Sequence, residues 1–408
     1  MKLRDTSLLF FAVILAGLGP CAMTWAQTAQ HSESPRVLLS DTFASKQPAW
    51  MAFGSSGEVR LTPEAAHAKT GKPALAFNYK IAPNQLVAAV LPVEYGSLAK
   101  MTRLKFWLKT DSSTGIAILL SEKKPEGGNY GAVIWSPKDT WQQIELTPGD
   151  FAVSEGPTDP KDPDNKLDLD EIEGIGVIDL GQMFVNFAGK PDLPLVVDVS
   201  PGAHTFCLDE LQALAESPAA SPAKADTVIT IDDFHRPQLG WITLGGAELS
   251  RSASDNPLGA PALEARYEQI EGKFVVFAHP LAQVNLRGSD RIAFDISSNK
   301  DLQMVVSLET RKPGSSEGPR YNTAIQVPGN GKPVHESLAF TQFNLDENSP
   351  SDPDGKLIPE QIKTVSLIDI TGAFTHERQK NTFWVSNLRT EGVATAKPQS
   401  NEGPGPGN

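Results

Sequence analysis

Residues 162–180 read DPDNKLDLDEIEGIGVIDL and residues 352–370 read DPDGKLIPEQIKTVSLIDI, so one segment occurs twice, 190 residues apart. The likeness reaches well beyond that anchor. Asp41 to Phe43 (DTF) pairs with Asp232 to Phe234 (DDF), Trp50 with Trp241, and Gly71, Pro73, Ala74, Leu75 and Tyr79 with Gly259, Pro261, Ala262, Leu263 and Tyr267. Leu104, Phe106 and Leu108 recur as Ile292, Phe294 and Ile296, while Phe206, Leu208 and Leu211 find counterparts near Phe383, Val385 and Leu388. A repeat of this period fixes the domain count before any local pattern is read. The chain is one module written twice.

The segments around the two copies set the boundaries. Residues 1–26 carry Lys2 and Arg4, an apolar run from Leu8 to Leu18 and small residues ending at Ala26, the layout of a secretory signal peptide. The mature chain is therefore expected outside the cytoplasm, secreted or periplasmic. No later stretch approaches the roughly 20 apolar residues that a membrane-spanning helix needs. The first module is expected over 36–214 and the second over 226–392. Between them 215–225 (AESPAASPAKA) has almost nothing to bury and reads as an extended spacer, and 393–408 reads as a disordered tail.

Loss of the leader removes Cys21 and leaves Cys207 alone, so no intramolecular disulfide can staple either module. Modules of about 170–180 residues are large enough to stand on their cores instead. A net charge of −13 disfavours nucleic acid and anionic membranes, both of which require a basic face.

Within each copy the apolar pattern has period two. Runs such as LAFNY (75–79), LKFWL (104–108), IAILLS (116–121), GIGVIDL (174–180) and LVVDV (195–199) are separated by Gly, Pro, Asn and Asp turns. Many short strands with such punctuation predict an antiparallel β-sandwich. Helix is expected only as single turns after each DPD segment, at 168–173 and 359–363.

The order of motifs is informative: Asp-x-Phe with a Trp several residues on, Gly-x-x-Ala-Leu, alternating strands, the DPD loop, a short turn ending in Ile, and a closing strand such as HTFCLDEL or NTFWVSNL. This string resembles the galactose-binding-like jelly-roll modules, in particular the family 11 type of carbohydrate-binding module and the related domain of complex I intermediate-associated protein 30. The likeness covers nearly all of both copies. It implies an all-β chain of two tandem antiparallel jelly-roll sandwiches, a polysaccharide or glycan partner, and a structural calcium ion. In such modules calcium tends to lie where the first and last strands meet, which points to Asp41, Asp209 and Glu210 in the first copy and to Asp232, Asp233 and Asn387 in the second.

Glycan recognition needs flat apolar faces beside hydrogen-bonding side chains. In LKFWLK the core takes Leu104, Phe106 and Leu108, so strand parity turns Lys105, Trp107 and Lys109 to the other face, where an outward Trp between two lysines suits a sugar platform. Trp135 and Tyr321 complete the candidate carbohydrate-binding set. In the second copy Asp295 replaces Trp107 and Gln326 replaces Trp135, so duplication of the module need not duplicate its function.

The acidic DPD loops could offer oxygens to calcium, but Leu167 and Leu357 stand where an EF-hand requires Gly, and a solvated Asx turn is the simpler reading. No HExxH, G-x-S-x-G, phosphate loop or nucleotide-binding glycine fingerprint occurs, and Cys207 in a strand-like run reads as a buried thiol. The expectation is a non-catalytic, secreted carbohydrate-binding protein. The alternative is a structural, adhesive or assembly-factor protein whose sandwiches contact a protein partner.

Overall fold

The computed structural model describes residues 35–216 and 228–392, apart from 46, 63, 65–66, 124–126, 155–158, 161, 191–192 and 313–316. The expected leader and tail, and the spacer from 217 on, lie outside the described residues.

In the first module the strands are β1 (Arg36–Asp41), β2 (Met51–Phe53), β3 (Glu58–Thr62), β4 (Ala74–Ile81), β5 (Ala88–Pro92) and β6 (Arg103–Thr110). They continue as β7 (Thr114–Glu122), β8 (Asn129–Ser136), β9 (Gln142–Leu146), β10 (Ala152–Val153), β11 (Ile172–Asp179) and β12 (Gly202–Ala215). In the second module they are β13 (Val228–Asp232), β14 (Ile242–Thr243), β15 (Ala247–Ser252), β16 (Ala262–Gln269), β17 (Val275–Pro280) and β18 (Arg291–Ser298). The series closes with β19 (Leu302–Thr310), β20 (Arg320–Val327), β21 (Val334–Ala339), β22 (Asn344–Leu345), β23 (Ile362–Asp369) and β24 (Gln379–Glu391).

Each module is a sandwich of two antiparallel sheets. In the first, β3-β4-β12-β6-β9 with β1 on β12 packs against β10-β8-β7-β11-β5-β2; in the second, β15-β16-β24-β18-β21 with β13 on β24 packs against β14-β17-β23-β19-β20-β22. The two topologies correspond strand for strand, as the repeat requires. Alternation places Leu104, Phe106 and Leu108 of β6 in one core, with Phe77 and Ile118, and Ile292, Phe294 and Ile296 of β18 in the other.

The repeated motifs turn out to be clamps. Phe43 and Phe234 adopt left-handed backbone (φ 53 and 58), a conformation that bulky residues rarely enter. Each is held by the Asp two residues earlier: Phe43 N donates to Asp41 Oδ1 and Phe234 N to Asp232 Oδ1, both at 2.8 Å. The second oxygens accept the buried indoles, Trp50 Nε1 on Asp41 Oδ2 at 3.2 Å and Trp241 Nε1 on Asp232 Oδ2 at 3.0 Å. The DPD loops are tied to their sheets in the same spirit. Tyr130 of β8 donates its hydroxyl to Asp162, and Tyr321 of β20 donates to Asp352. Asp162 Oδ1 also accepts Asp164 N at 3.1 Å and Asp352 Oδ1 accepts Asp354 N at 2.9 Å, so each loop is an Asx turn clamped by a tyrosine.

Two local expectations differ from the structure. The second DPD segment is followed by a 3-10 turn at Pro359–Gln361, but 168–173 forms only turns and bends before β11. Its Asp168 N and Glu122 Oε1 are 2.6 Å apart, and Lys123 N donates to Glu171 O at 2.9 Å, so the backbone is drawn toward β7. LVVDV is not a strand of the first module. Equivalent residues are 190 apart at Asp179 and Asp369 but 177 apart at Phe206 and Phe383, so the first copy carries 13 extra residues between them. A helical turn, α1 (Gly181–Phe184), follows β11 just as a 3-10 turn (Thr371–Ala373) follows β23, and the extra residues beyond it form a strap that crosses to the second module. Val196 N donates to Phe274 O at 2.8 Å and Asp198 N to Leu244 O at 3.2 Å. Gly245 (φ 99) is required there, because a Cβ would lie 2.1 Å from Asp198 O.

The two sandwiches therefore dock. Ala117, Leu180 and Phe184 of the first module form one apolar cluster with Ile242 and Ala278 of the second, and Leu193 and Leu195 of the strap form another with Val276. Polar ties flank these clusters: Trp135 N donates to Leu239 O at 3.0 Å, Gln238 exchanges bonds with the Glu145 backbone, and Arg236 pairs with Asp150.

Candidate functional site

The structure distributes the expected carbohydrate-binding residues over three places. Lys105, Trp107 and Lys109 do share the outer face of β6, each half-buried, as parity predicted. That face is already engaged. Lys69 Nζ lies 4.7 Å from the centre of the Trp107 ring, an arrangement in which the ammonium covers an aromatic face. Lys105 Nζ pairs with Glu145 Oε1 at 3.0 Å, and Arg103 bridges Glu145 and Glu216 at 3.2 and 2.6 Å.

Tyr321 is 2 % exposed in the second core and bonded to Asp352, so it is not a platform residue. Trp135 is 1 % exposed: it points out of the first core, but the second module covers it, so its ring is closed to stacking by a sugar. Its Nε1 has no hydrogen-bond partner.

The expected calcium ligands do not converge. Both oxygens of Asp41 and of Asp232 are spent on the Phe and Trp clamps. Glu210 and Asn387 (φ 50 and 53) are the bulge residues of β12 and β24, Asn387 Nδ2 donates to Asp295 Oδ2 at 2.7 Å, and Asp233 Oδ1 accepts His235 N at 3.0 Å. Asp209 is buried with Oδ2 accepting Lys69 N, Thr70 N and Thr70 Oγ1, which leaves Oδ1 without a partner. Ser386 takes its place in the second copy. One carboxylate oxygen is far short of the six to eight that calcium takes, and among the described residues no group of three or more His, Cys, Asp or Glu is placed to hold a metal.

What local sequence could not reveal is a cleft of about 380 Å³ where the modules meet. Ser112, Ser113, Lys138 and His204 line it from the first module, and Glu248 and Arg266 from the second, with Trp135 and Phe184 as apolar wall. Ser113 Oγ donates to Glu248 Oε2 at 2.7 Å, which bridges the modules at the cleft wall. His204 Nδ1 faces Asp111 Oδ1 at 3.1 Å and its Nε2 faces Ser200 O at 2.8 Å. With an acceptor at each ring nitrogen the imidazolium is favoured, and the bond to Asp111 raises the pKa above the ordinary value. The cleft thus offers carboxylate, guanidinium, ammonium and hydroxyl groups side by side.

No family model matches the chain, and no curated protein matches it. Solved structures do. The family 11 carbohydrate-binding module of the cellulosomal cellulase Lic26A-Cel5E of Clostridium thermocellum is 19% identical over 42% of this chain and 97% of its own, with a TM-score of 0.34. The tandem CBM22-1–CBM22-2 domain of Paenibacillus barcinonensis Xyn10C is 13% identical over 90% of this chain and 99% of its own, with a TM-score of 0.29. The family 30 module of the C. thermocellum cellulosomal cellulase Cel9D-Cel44B is 12% identical over 41% and 98%, with a TM-score of 0.32. The family 11 likeness expected from the sequence is among those found.

Proposed function

We propose that the protein is a non-catalytic carbohydrate-binding protein that acts outside the cytoplasm and holds its glycan in the inter-module cleft. The observation that carries this reading is that both modules build one concave site from the groups a saccharide needs. Glu248 accepts, Arg266 and Lys138 donate, and Ser112 can do either, while His204 and Ser113 hold the wall in place through the bonds described above. Both signs of charge are present, which suits a neutral ligand with many hydroxyls. The signal-like leader supports export.

The test is a polysaccharide array probed with the intact two-module chain. Retention on at least one glycan, reduced tenfold or more by Glu248→Ala together with Arg266→Ala, is the expected result. Silence on every glycan refutes carbohydrate binding; retention that survives those changes but is lost with Trp107→Ala refutes the cleft and moves the site to the outer face of β6.

A further inference from the structure

The polar cleft abuts an apolar cavity, with which it shares two wall residues. Phe184 and Thr243 line both the cleft and a second cavity, of about 90 Å³, between the facing sheets. Its walls are mostly apolar, including Leu119 and Val133 from the first module and Ile242 and Val276 from the second. Small side chains on both modules, Ala117 and Ala278, leave this space unfilled. The one charged wall residue, Glu309, is matched by Lys363 Nζ at 3.1 Å and Gly318 N at 2.9 Å, so the cavity presents no unbalanced charge to a ligand. Water gains little from such walls, because ordered water needs two to four polar partners. Space of this size accommodates roughly three methylene-sized groups, judged against the ~30 Å³ that one water occupies.

We propose that the ligand is a saccharide carrying an apolar substituent, with the sugar in the polar cleft and an alkyl or aryl group in the adjoining cavity. This rests on the carbohydrate-binding reading and narrows it from glycans in general to glycoconjugates. A plain polysaccharide would leave the cavity empty; a substituted one removes both its own apolar group and these walls from water.

Methyl and n-butyl β-glycosides of glucose, galactose, mannose and xylose, titrated calorimetrically into the intact chain, separate the two ideas. The butyl group adds three methylenes, each worth about fourfold in affinity when fully buried, so the butyl glycoside of a bound sugar should bind about 50-fold tighter than the methyl one. Filling the cavity with Ala278→Leu, or independently with Ala117→Leu, should bring that ratio close to one. Equal affinities for the two glycosides in the unaltered protein overturn the inference and leave carbohydrate binding intact. If n-butanol binds as tightly as every butyl glycoside, with no dependence on the sugar, the carbohydrate reading falls and this inference with it. Absence of binding across the panel likewise overturns the inference, while the array still decides the wider reading.

Discussion

Replacing Ile242 by Asp should separate the two modules without unfolding either. Ile242 is 7 % exposed and packs among Ala117, Leu180, Phe184 and Ala278, and its Cγ2 lies 3.0 Å from where a Cβ on Gly115 would be. Burial of an isoleucine contributes about 2–3 kcal/mol, which the variant forfeits. A carboxylate left in that cluster without a partner adds several kcal/mol more. The summed cost of about 5 kcal/mol or more rivals what the polar ties can return, since surface ion pairs such as Arg236–Asp150 are worth about 1 kcal/mol or less each. Each module keeps its own core, so undocking avoids the cost where unfolding would not. Small-angle scattering should show the radius of gyration rising by several ångström over the docked chain, for which a globule of this size has about 21 Å. Calorimetry should resolve two unfolding transitions, and Ile242→Val should preserve docking at a cost of about 1 kcal/mol. An unchanged scattering curve with one transition in Ile242→Asp would show that the apolar clusters do not hold the modules together.

The tyrosine clamps predict that Tyr321→Phe lowers stability by about 2 kcal/mol, the usual worth of a hydrogen bond to a charged group; a change below about 0.5 kcal/mol in urea unfolding, within the range of neutral substitutions, would reject the clamp. Glu122 is 2 % exposed, and burial outweighs the bonds from Asp168 N and Gly128 N to push its pKa from 4.5 up to about 7. Because the folded value is raised, its contribution is fully present below pH 4.5 and is lost as pH rises through about 7. The stability difference between the native protein and Glu122→Gln should therefore shift against the native protein by about 3 kcal/mol between pH 4 and 8. A pH-independent difference would contradict it.

Much of the fold was legible because strand parity is a local property. Leu104, Phe106 and Leu108 had to be buried together, and Lys105, Trp107 and Lys109 had to share the other face, whatever else the chain did. The repeated Asp-x-Phe and Trp were equally visible, yet their role was not. Asp41 and Asp232 have the chemistry of calcium ligands in sequence, and only the positions of the Phe43 amide and the Trp50 indole show that the oxygens are already used. The DPD segments read correctly as Asx turns, but the tyrosine that clamps each comes from a strand about 30 residues earlier, beyond any local pattern.

The sequence by itself determined that there are two modules, that each is a β-sandwich, and which residues of each strand face its core. Those facts follow from a repeat and a two-residue alternation, both carried along the chain. Tertiary structure alone decided what covers the outward faces. An outward Trp135 under a second domain and an outward Trp107 on the half-exposed face of β6 are both turned away from the first core, and their difference arises only when the second module docks over β8. The cleft and the cavity beside it exist because two surfaces far apart in sequence meet, and no periodicity within one strand encodes its contact with another domain.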